Sequence, residues 1–83
     1  MLKAYRLNDY EAWAGEDLEH AISNAMKATG ESRDIVYDDC YGYELPSKLE
    51  IPDEDGRVTN VMTILAAMEA RDNPGVVCFF GDC

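Results

Sequence analysis

The chain has 83 residues, 47% of them apolar, with 17 Asp and Glu against 7 Lys and Arg and a net charge of −10. This length allows one domain with a modest core, and one Trp, five Tyr and two Phe exclude a disordered chain. The charge argues against direct binding to nucleic acid or to an anionic membrane, because the surface would repel both. It favours a basic protein surface as the partner; the alternative is that the charge only keeps the protein soluble.

The first third of the chain predicts a strand followed by a helix. Residues 2–7 alternate in polarity and precede Asn8-Asp9, which is typical of a strand. Trp13 is interpreted as a core anchor that packs on the following helix. Residues 16–29 carry apolar side chains every three or four positions, with acids in the first turn, and Gly30 occupies the expected left-handed C-terminal cap. This is the clearest element of the sequence.

The middle of the chain, residues 31–57, is irregular and holds nine acids against three bases. Residues 35–37 and 49–51 are short strands or loop anchors, and the pattern leaves both readings open. Residues 52–56, Pro-Asp-Glu-Asp-Gly, predict a turn.

The last third predicts a second helix and a closing strand. The helix runs from Asn60 to Arg71 with Thr59 as its N-cap, and Asp72-Asn73-Pro74-Gly75 ends it. Residues 76–80 predict a strand that is buried on both faces or covered by a helix. The whole chain, residues 1–83, is therefore expected to form a single α/β (α+β) domain. Its small sheet has two to four strands and two helices packed on one face, in the order β-α-(short strands or loop)-α-β.

Catalytic and metal-binding motifs are missing from the sequence. His20 falls on the surface of the first predicted helix, and no nucleophile, zinc or phosphate-loop signature is found. Asp53-Glu54-Asp55-Gly56 resembles the start of a calcium loop, but Ile64 stands where the bidentate Glu is required. We therefore expect a protein that is not an enzyme and has no cofactor and no metal.

The acidic residues are concentrated in two segments, residues 9–19 and 31–57. If the two segments share one side of the fold, their carboxylates compete with phosphates for Lys and Arg residues of a partner. The candidate partner-binding residues are acids from both segments: Glu16, Asp17, Glu19, Asp38, Asp39, Asp53, Glu54 and Asp55. The alternative is a small interaction or dimerisation module that uses an aromatic patch of Tyr10, Trp13, Tyr41 and Tyr43. Either protein would be a monomer or a weak homodimer.

The N-terminus and the cysteines indicate the compartment. Residues 1–6 contain no apolar run typical of a signal peptide, and no segment is long enough to span a membrane. Cys40, Cys78 and Cys83 are odd in number and show no CxxC spacing, which predicts neither a disulfide framework nor a zinc site. We expect a cytoplasmic protein in which Cys78 is a small buried hydrophobic residue.

Residues 5–15, YRLNDYEAWAG, followed by residues 17–21, DLEHA, resemble the opening of a family of small acidic phage and prophage proteins. Thr29-Gly30 and Asp55-Gly56 fit the same pattern, whereas Tyr41-Gly42-Tyr43 and Pro46 depart from it. Proteins of this kind include anti-CRISPR inhibitors, several of which imitate nucleic acid. The resemblance implies a phage-encoded inhibitor, acting in the host bacterial cytoplasm, that binds a basic nucleic-acid site on a CRISPR effector subunit.

Overall fold

The computed structural model describes residues 1–52 and 55–80, which form five strands and three helices. In chain order these are β1 (Lys3–Arg6), β2 (Glu11–Gly15), α1 (Leu18–Thr29), α2 (Arg33–Val36), β3 (Glu50–Pro52), β4 (Val58–Asn60), α3 (Val61–Arg71) and β5 (Val76–Phe79). Strands β1, β2 and β5 make one antiparallel sheet in the order β1-β2-β5, and β3 and β4 make a separate hairpin. The α/β (α+β) class is confirmed.

Helices α1 and α3 lie on opposite faces of the three-stranded sheet. Ala4 pairs with Ala14 across β1 and β2, and both pack with Leu65 of α3. The next pair along, Tyr5 and Trp13, points to the other face because side chains alternate along a strand, and it packs with α1. The expectation that both helices cover one face is therefore wrong. Small alanines on one face and large aromatic rings on the other give two separate hydrophobic clusters.

Strand β2 is the central strand of the sheet and was not expected from the sequence. Its sequence, EAWAG, has no β-branched residue and shows none of the alternation typical of a half-buried strand. Ala12, Trp13 and Ala14 are all buried because helices cover both faces. Trp13 is 5% exposed and packs beside Ala21 and Ile22 of α1, which confirms its interpretation as a core anchor.

Both long helices begin and end close to the predicted positions. The Asp17 side chain accepts a hydrogen bond from the His20 backbone N–H at the start of α1, and Gly30 caps its end in the left-handed conformation with φ 74°. Asn60, rather than Thr59, is the N-cap of α3, since its side chain accepts from the Thr63 N–H at 2.8 Å. No helix within residues 1–52 and 55–80 is long and apolar enough to cross a membrane.

The shorter segments differ more from expectation. Ile35 and Val36 belong to the single turn of α2, while the second uncertain segment is a strand, β3. β5 lies at the edge of the sheet and Phe79 is 68% exposed, so the strand is not buried on both faces. The other expectation, that a helix covers it, is confirmed, because Val77 and Cys78 pack in one cluster with Leu65 of α3. The pairing of β5 with β2 also shifts at Val77, where one extra residue forms a bulge that brings Val77 and Cys78 into the same cluster.

Candidate functional site

A shallow cleft of about 770 Å³ opens between the β1–β2 turn and α2 with the loop that follows it. We name it the acidic cleft. It is lined by residues of these two segments: Asn8, Asp9, Tyr10, Glu11, Arg33, Asp34, Ile35, Tyr37, Asp38 and Asp39. The cleft therefore brings together side chains from both of the acid-rich segments of the sequence.

Asn8 fixes the distance between the two walls of the acidic cleft. Its side-chain oxygen accepts hydrogen bonds from the backbone N–H groups of Tyr10 (2.8 Å) and Glu11 (3.0 Å), which shapes the turn. Its side-chain amide donates to the Val36 carbonyl across the cleft at 2.9 Å. The Asp38 backbone N–H also donates to the Leu7 carbonyl at 2.8 Å. One side-chain-to-backbone bond and one backbone-to-backbone bond thus join the two walls within the protein itself.

Carboxylates dominate the charge of the acidic cleft. Five acidic side chains line it: Asp9, Glu11, Asp34, Asp38 and Asp39. The guanidinium of Arg33 also lines it but donates two hydrogen bonds to the Glu19 carboxylate, at 2.7 and 2.9 Å. These bonds lower the pKa of Glu19 and raise that of Arg33. Because Glu19 offsets the positive charge of Arg33, the five carboxylates give the cleft a negative net charge.

Arg6 stabilises the β1–β2 turn through its guanidinium group. Its guanidinium donates to the backbone carbonyls of Asn8 and Asp9, both at 3.1 Å. It also lies 4.8 Å from the ring centre of Tyr41 and 4.1 Å from that of Phe80, within the range of cation–π attraction. The positive charge of Arg6 is therefore engaged by carbonyls and aromatic faces next to the acidic cleft.

Two of the cleft acids also order the neighbouring loop. The Tyr41 hydroxyl donates a hydrogen bond to Asp9, which raises the pKa of Tyr41. Asp38 accepts from the Cys40 backbone N–H at 2.9 Å, and the same carboxylate raises the pKa of the exposed Cys40 thiol. A thiol held in its protonated form at neutral pH is a weak nucleophile.

Exposed apolar side chains border the carboxylates. Tyr10 is 67% exposed and Ile35 is 63% exposed, and both line the acidic cleft. Lys and Arg side chains combine an apolar stem with a charged end, and the stem packs on apolar surface while the end meets a carboxylate. The cleft offers both kinds of contact to a basic side chain.

The eight acids predicted to bind a partner are spread over several places. Asp38 and Asp39 line the acidic cleft, and Glu19 reaches it indirectly through Arg33. Glu16 and Asp17 lie at the start of α1, where Asp17 is the N-cap, and Asp55 is exposed in the β3–β4 hairpin. Asp53 and Glu54 lie outside the described residues.

Three acids of the acidic cleft, Asp9, Glu11 and Asp34, were not among the predicted contacts. Asp9 and Glu11 belong to the acidic run of residues 9–19, and their signal was the Asn8-Asp9 turn between two strands. Because β2 was not predicted, the Asn8-Asp9 turn was not recognised as the turn of a hairpin. Its acids were therefore not predicted to contact a partner. Asp34 projects from α2, a helix of a single turn that the sequence did not predict.

The predicted aromatic patch is not one surface. Trp13 is buried under α1 and is unavailable to a partner, so its place in that patch is wrong. Tyr41 and Tyr43 lie near each other, with ring centres 6.3 Å apart, and the Arg6 guanidinium donates to the Tyr43 hydroxyl at 3.2 Å. Tyr10 lies on the acidic cleft. Tyr41 is linked to the cleft through its hydrogen bond to Asp9, and Tyr43 is not among the residues that line the cleft.

No group of three or more His, Cys, Asp or Glu side chains within residues 1–52 and 55–80 is arranged to hold a metal ion. The His20 Nδ1 accepts a hydrogen bond from the Glu16 backbone N–H at 2.9 Å, so this ring helps to shape the start of α1.

Comparison of the chain with protein families, with curated proteins and with solved structures finds no match.

Proposed function

We propose that this protein is a non-catalytic, phage-encoded inhibitor of the anti-CRISPR kind, which binds a basic nucleic-acid-binding surface of a CRISPR effector complex in the host cytoplasm. The acidic cleft is the contact surface in this proposal, with Asp9, Glu11 and Asp34 added to the predicted Asp38 and Asp39. The protein acts by occupying a site that nucleic acid would otherwise fill, without a cofactor.

One observation carries the proposal: two separately acidic segments meet at the acidic cleft, whose walls are joined by hydrogen bonds between Asn8 and Val36 and between Asp38 and Leu7. If the negative charge served only to keep the protein soluble, the two acidic segments would not need to meet at one cleft. Pre-positioned carboxylates lose little conformational entropy on binding, so more of the electrostatic attraction is retained as affinity.

The acidic cleft suits a surface that normally binds phosphates. Duplex DNA presents one negative charge per ~1.7 Å of axis, and a basic channel that holds it is lined with Lys and Arg. Carboxylates attract the same side chains, and the net charge of −10 steers the protein toward them. The CRISPR setting comes from the resemblance of residues 5–21 to small phage proteins and not from a motif in the cleft.

The experiment that tests this proposal is capture of purified CRISPR effector complexes on the immobilised protein, at low and high salt and with added duplex DNA. Capture that salt weakens and DNA abolishes supports nucleic-acid mimicry. The cleft variant is Asp34→Lys with Asp39→Lys, and its matched control is Glu31→Lys with Glu50→Lys, two exposed acids outside the cleft. Loss of capture in the cleft variant alone is expected. Equal capture by both variants would exclude the acidic cleft as the contact.

A second candidate is an interaction module that binds through aromatic side chains. The observation that favours it is the exposure of Tyr10 (67%), which lines the cleft, and of Tyr43 (49%), whose ring lies beside that of Tyr41. In that case Tyr10→Ala with Tyr43→Ala abolishes capture and salt has little effect. If instead the tyrosine variant binds normally while the charge-reversed variant fails, the aromatic candidate is excluded.

A further inference from the structure

The three-stranded sheet has one covered edge and one open edge. Residues 42–45 run along the outer edge of β1 and form backbone hydrogen bonds with it, such as that from the Leu45 N–H to the Ala4 carbonyl at 2.8 Å. At the other edge, β5 pairs with β2 alone within the described residues. Proteins commonly protect open edges with charged residues or proline, and residues 76–80 contain neither. We name this open side of Val76–Phe79 the β5 edge.

The backbone of Phe79 presents a donor and an acceptor at the β5 edge. The next residue, Phe80, donates its N–H to the Tyr10 carbonyl at 2.7 Å and so directs its backbone groups toward the β2 side. Because the backbone groups of successive residues in a strand point in opposite directions, the N–H and C=O of Phe79 point away from β2. No strand lies on that side among the described residues. Phe79 can therefore pair with an added strand while β5 keeps its bonds to β2.

The two faces of the sheet beside the β5 edge differ in chemistry. On the side that α3 covers, an apolar groove of about 520 Å³ separates β5 from α3 and the β3–β4 hairpin and includes Cys78, Ile64 and Ile51. No charged side chain lines this groove within residues 1–52 and 55–80. On the opposite face, Phe79 lies directly across from Glu11, a carboxylate of the acidic cleft. The β5 edge thus borders the apolar groove on one face and the acidic cleft on the other.

We propose that the β5 edge is a second docking site, which takes an extended segment of the basic partner as an additional strand. This segment has apolar and basic residues at alternate positions. Successive side chains of a strand point to opposite faces, so the apolar ones enter the groove and the basic ones lie beside Glu11. Backbone hydrogen bonds to Phe79 contribute affinity, and the alternating side chains contribute specificity. The inference rests on the proposed function in one respect, the basic character of the partner.

Charge complementarity selects this occupant for the β5 edge. A second copy of the chain also carries a net charge of −10, so two copies repel each other, whereas a segment with Lys or Arg is attracted. A segment that is basic at every position would place charges over the apolar groove, where the described residues offer no charge to pair with them. Basic residues on one face alone avoid this cost. They also continue the contact from Glu11 into the acidic cleft.

Nuclear magnetic resonance of the full chain with a short peptide of alternating Val and Lys residues, in reducing buffer, tests the site. We expect saturable shifts of the amide signals of residues 76–80 and slower hydrogen exchange of the Phe79 N–H. The same peptide with N-methylated backbone amides keeps its charge and side chains but cannot pair as a strand. Its dissociation constant should be at least about tenfold higher. Equal affinity for the two peptides, or binding that leaves residues 76–80 unaffected, would overturn the inference.

Two variants of Phe79 separate backbone pairing from the contact of the aromatic ring. Phe79→Ala and Phe79→Pro both remove the ring, but only proline removes the N–H that points away from β2. We expect Phe79→Pro to bind the alternating peptide about tenfold more weakly than Phe79→Ala. Melting temperatures show whether both variants fold, and equal affinity in two folded variants would contradict strand addition. If Phe79→Pro does not fold, the comparison of the two peptides with the unchanged protein still decides the question.

The peptide experiment contains no effector complex, so it separates this inference from the proposed function. Asp34→Lys with Asp39→Lys should abolish effector capture but retain the peptide-induced shifts of residues 76–80, because both acids line the acidic cleft and not the apolar groove. Loss of those shifts in this variant would assign the peptide to the cleft and overturn the inference. A protein that binds the peptide at residues 76–80 but captures no effector would support the β5 edge and contradict the proposed function.

Discussion

The Asn8 side-chain amide donates a hydrogen bond to the Val36 carbonyl at 2.9 Å and so connects the β1–β2 turn to the end of α2. These residues are 28 positions apart in the chain. The same side chain also accepts two backbone hydrogen bonds within its own turn. One residue therefore shapes one wall of the acidic cleft and holds the other wall beside it.

Asn8→Ala removes all three hydrogen bonds. We expect the free energy of unfolding to fall by about 1–3 kcal/mol, because backbone groups at the base of the cleft lose their partners. If the acidic cleft is the contact surface, effector capture should also fall, since the two walls are no longer held together. Chemical denaturation measures the first effect. Asn73→Ala, at an exposed position after α3, is the control and should change stability little; similar losses in the two variants would argue against the role of Asn8.

Gly15 marks the closest approach between β2 and α1. A Cβ at this position would lie 2.3 Å from the Ala21 backbone nitrogen and 2.7 Å from its Cα, so the helix would have to move. Gly15→Ala is expected to lower the free energy of unfolding by about 1–3 kcal/mol, as overpacking of a core commonly does. Gly75→Ala is the control, because a Cβ there meets no atom within 4 Å. Thermal unfolding of both variants checks the difference, and an equally stable Gly15→Ala protein would contradict the close contact.

The sequence was informative where one physical signal dominated. α1 and α3 were found because their apolar residues repeat with helical spacing and because caps such as Asp17 and Gly30 have strong local preferences. β2 was not found, because a strand covered on both faces needs no alternation and because Ala is a poor indicator of strand. Local sequence pattern thus predicted the two long helices, α1 and α3, but neither α2 nor the central strand of the sheet.

The acidic cleft depends on the part of the fold that local pattern did not reveal. That acids concentrate in two segments was visible in the sequence, but which of them meet depends on the β1–β2 hairpin and on α2. Glu19 illustrates the difference: it was predicted as a contact with a partner, and in the structure its carboxylate is paired with Arg33. Arg33 and Glu19 are 14 positions apart and belong to different helices. The spacing of residues in a single sequence does not indicate that two such side chains form an ion pair.

The Glu19–Arg33 pair should make stability depend on pH in the acidic range. Arg33 lowers the pKa of Glu19 in the folded state below its ordinary value of 4.5. A carboxyl group with a depressed folded pKa stabilises the protein above its unfolded pKa, and that contribution is lost as pH falls through the folded pKa. Glu19→Gln should therefore reduce the loss of melting temperature between neutral pH and about pH 3. Glu31→Gln, which removes an exposed acid outside this ion pair, is the control and should leave that pH dependence closer to wild type.

Asp38 should control the reactivity of Cys40. Its carboxylate raises the pKa of the Cys40 thiol by hydrogen bonding and by charge, so little thiolate forms near neutral pH. Asp38→Asn removes the negative charge while keeping the size of the side chain. We expect Cys40 to react faster with a thiol reagent near pH 8 in this variant, measured in a Cys83→Ser chain in which Cys78 is buried. Asp34→Asn, which removes a charge from the same cleft, is the control, because Asp34 is not among the groups that shift the Cys40 pKa. An unchanged rate in Asp38→Asn would show that access to the thiol, rather than its protonation, limits the reaction.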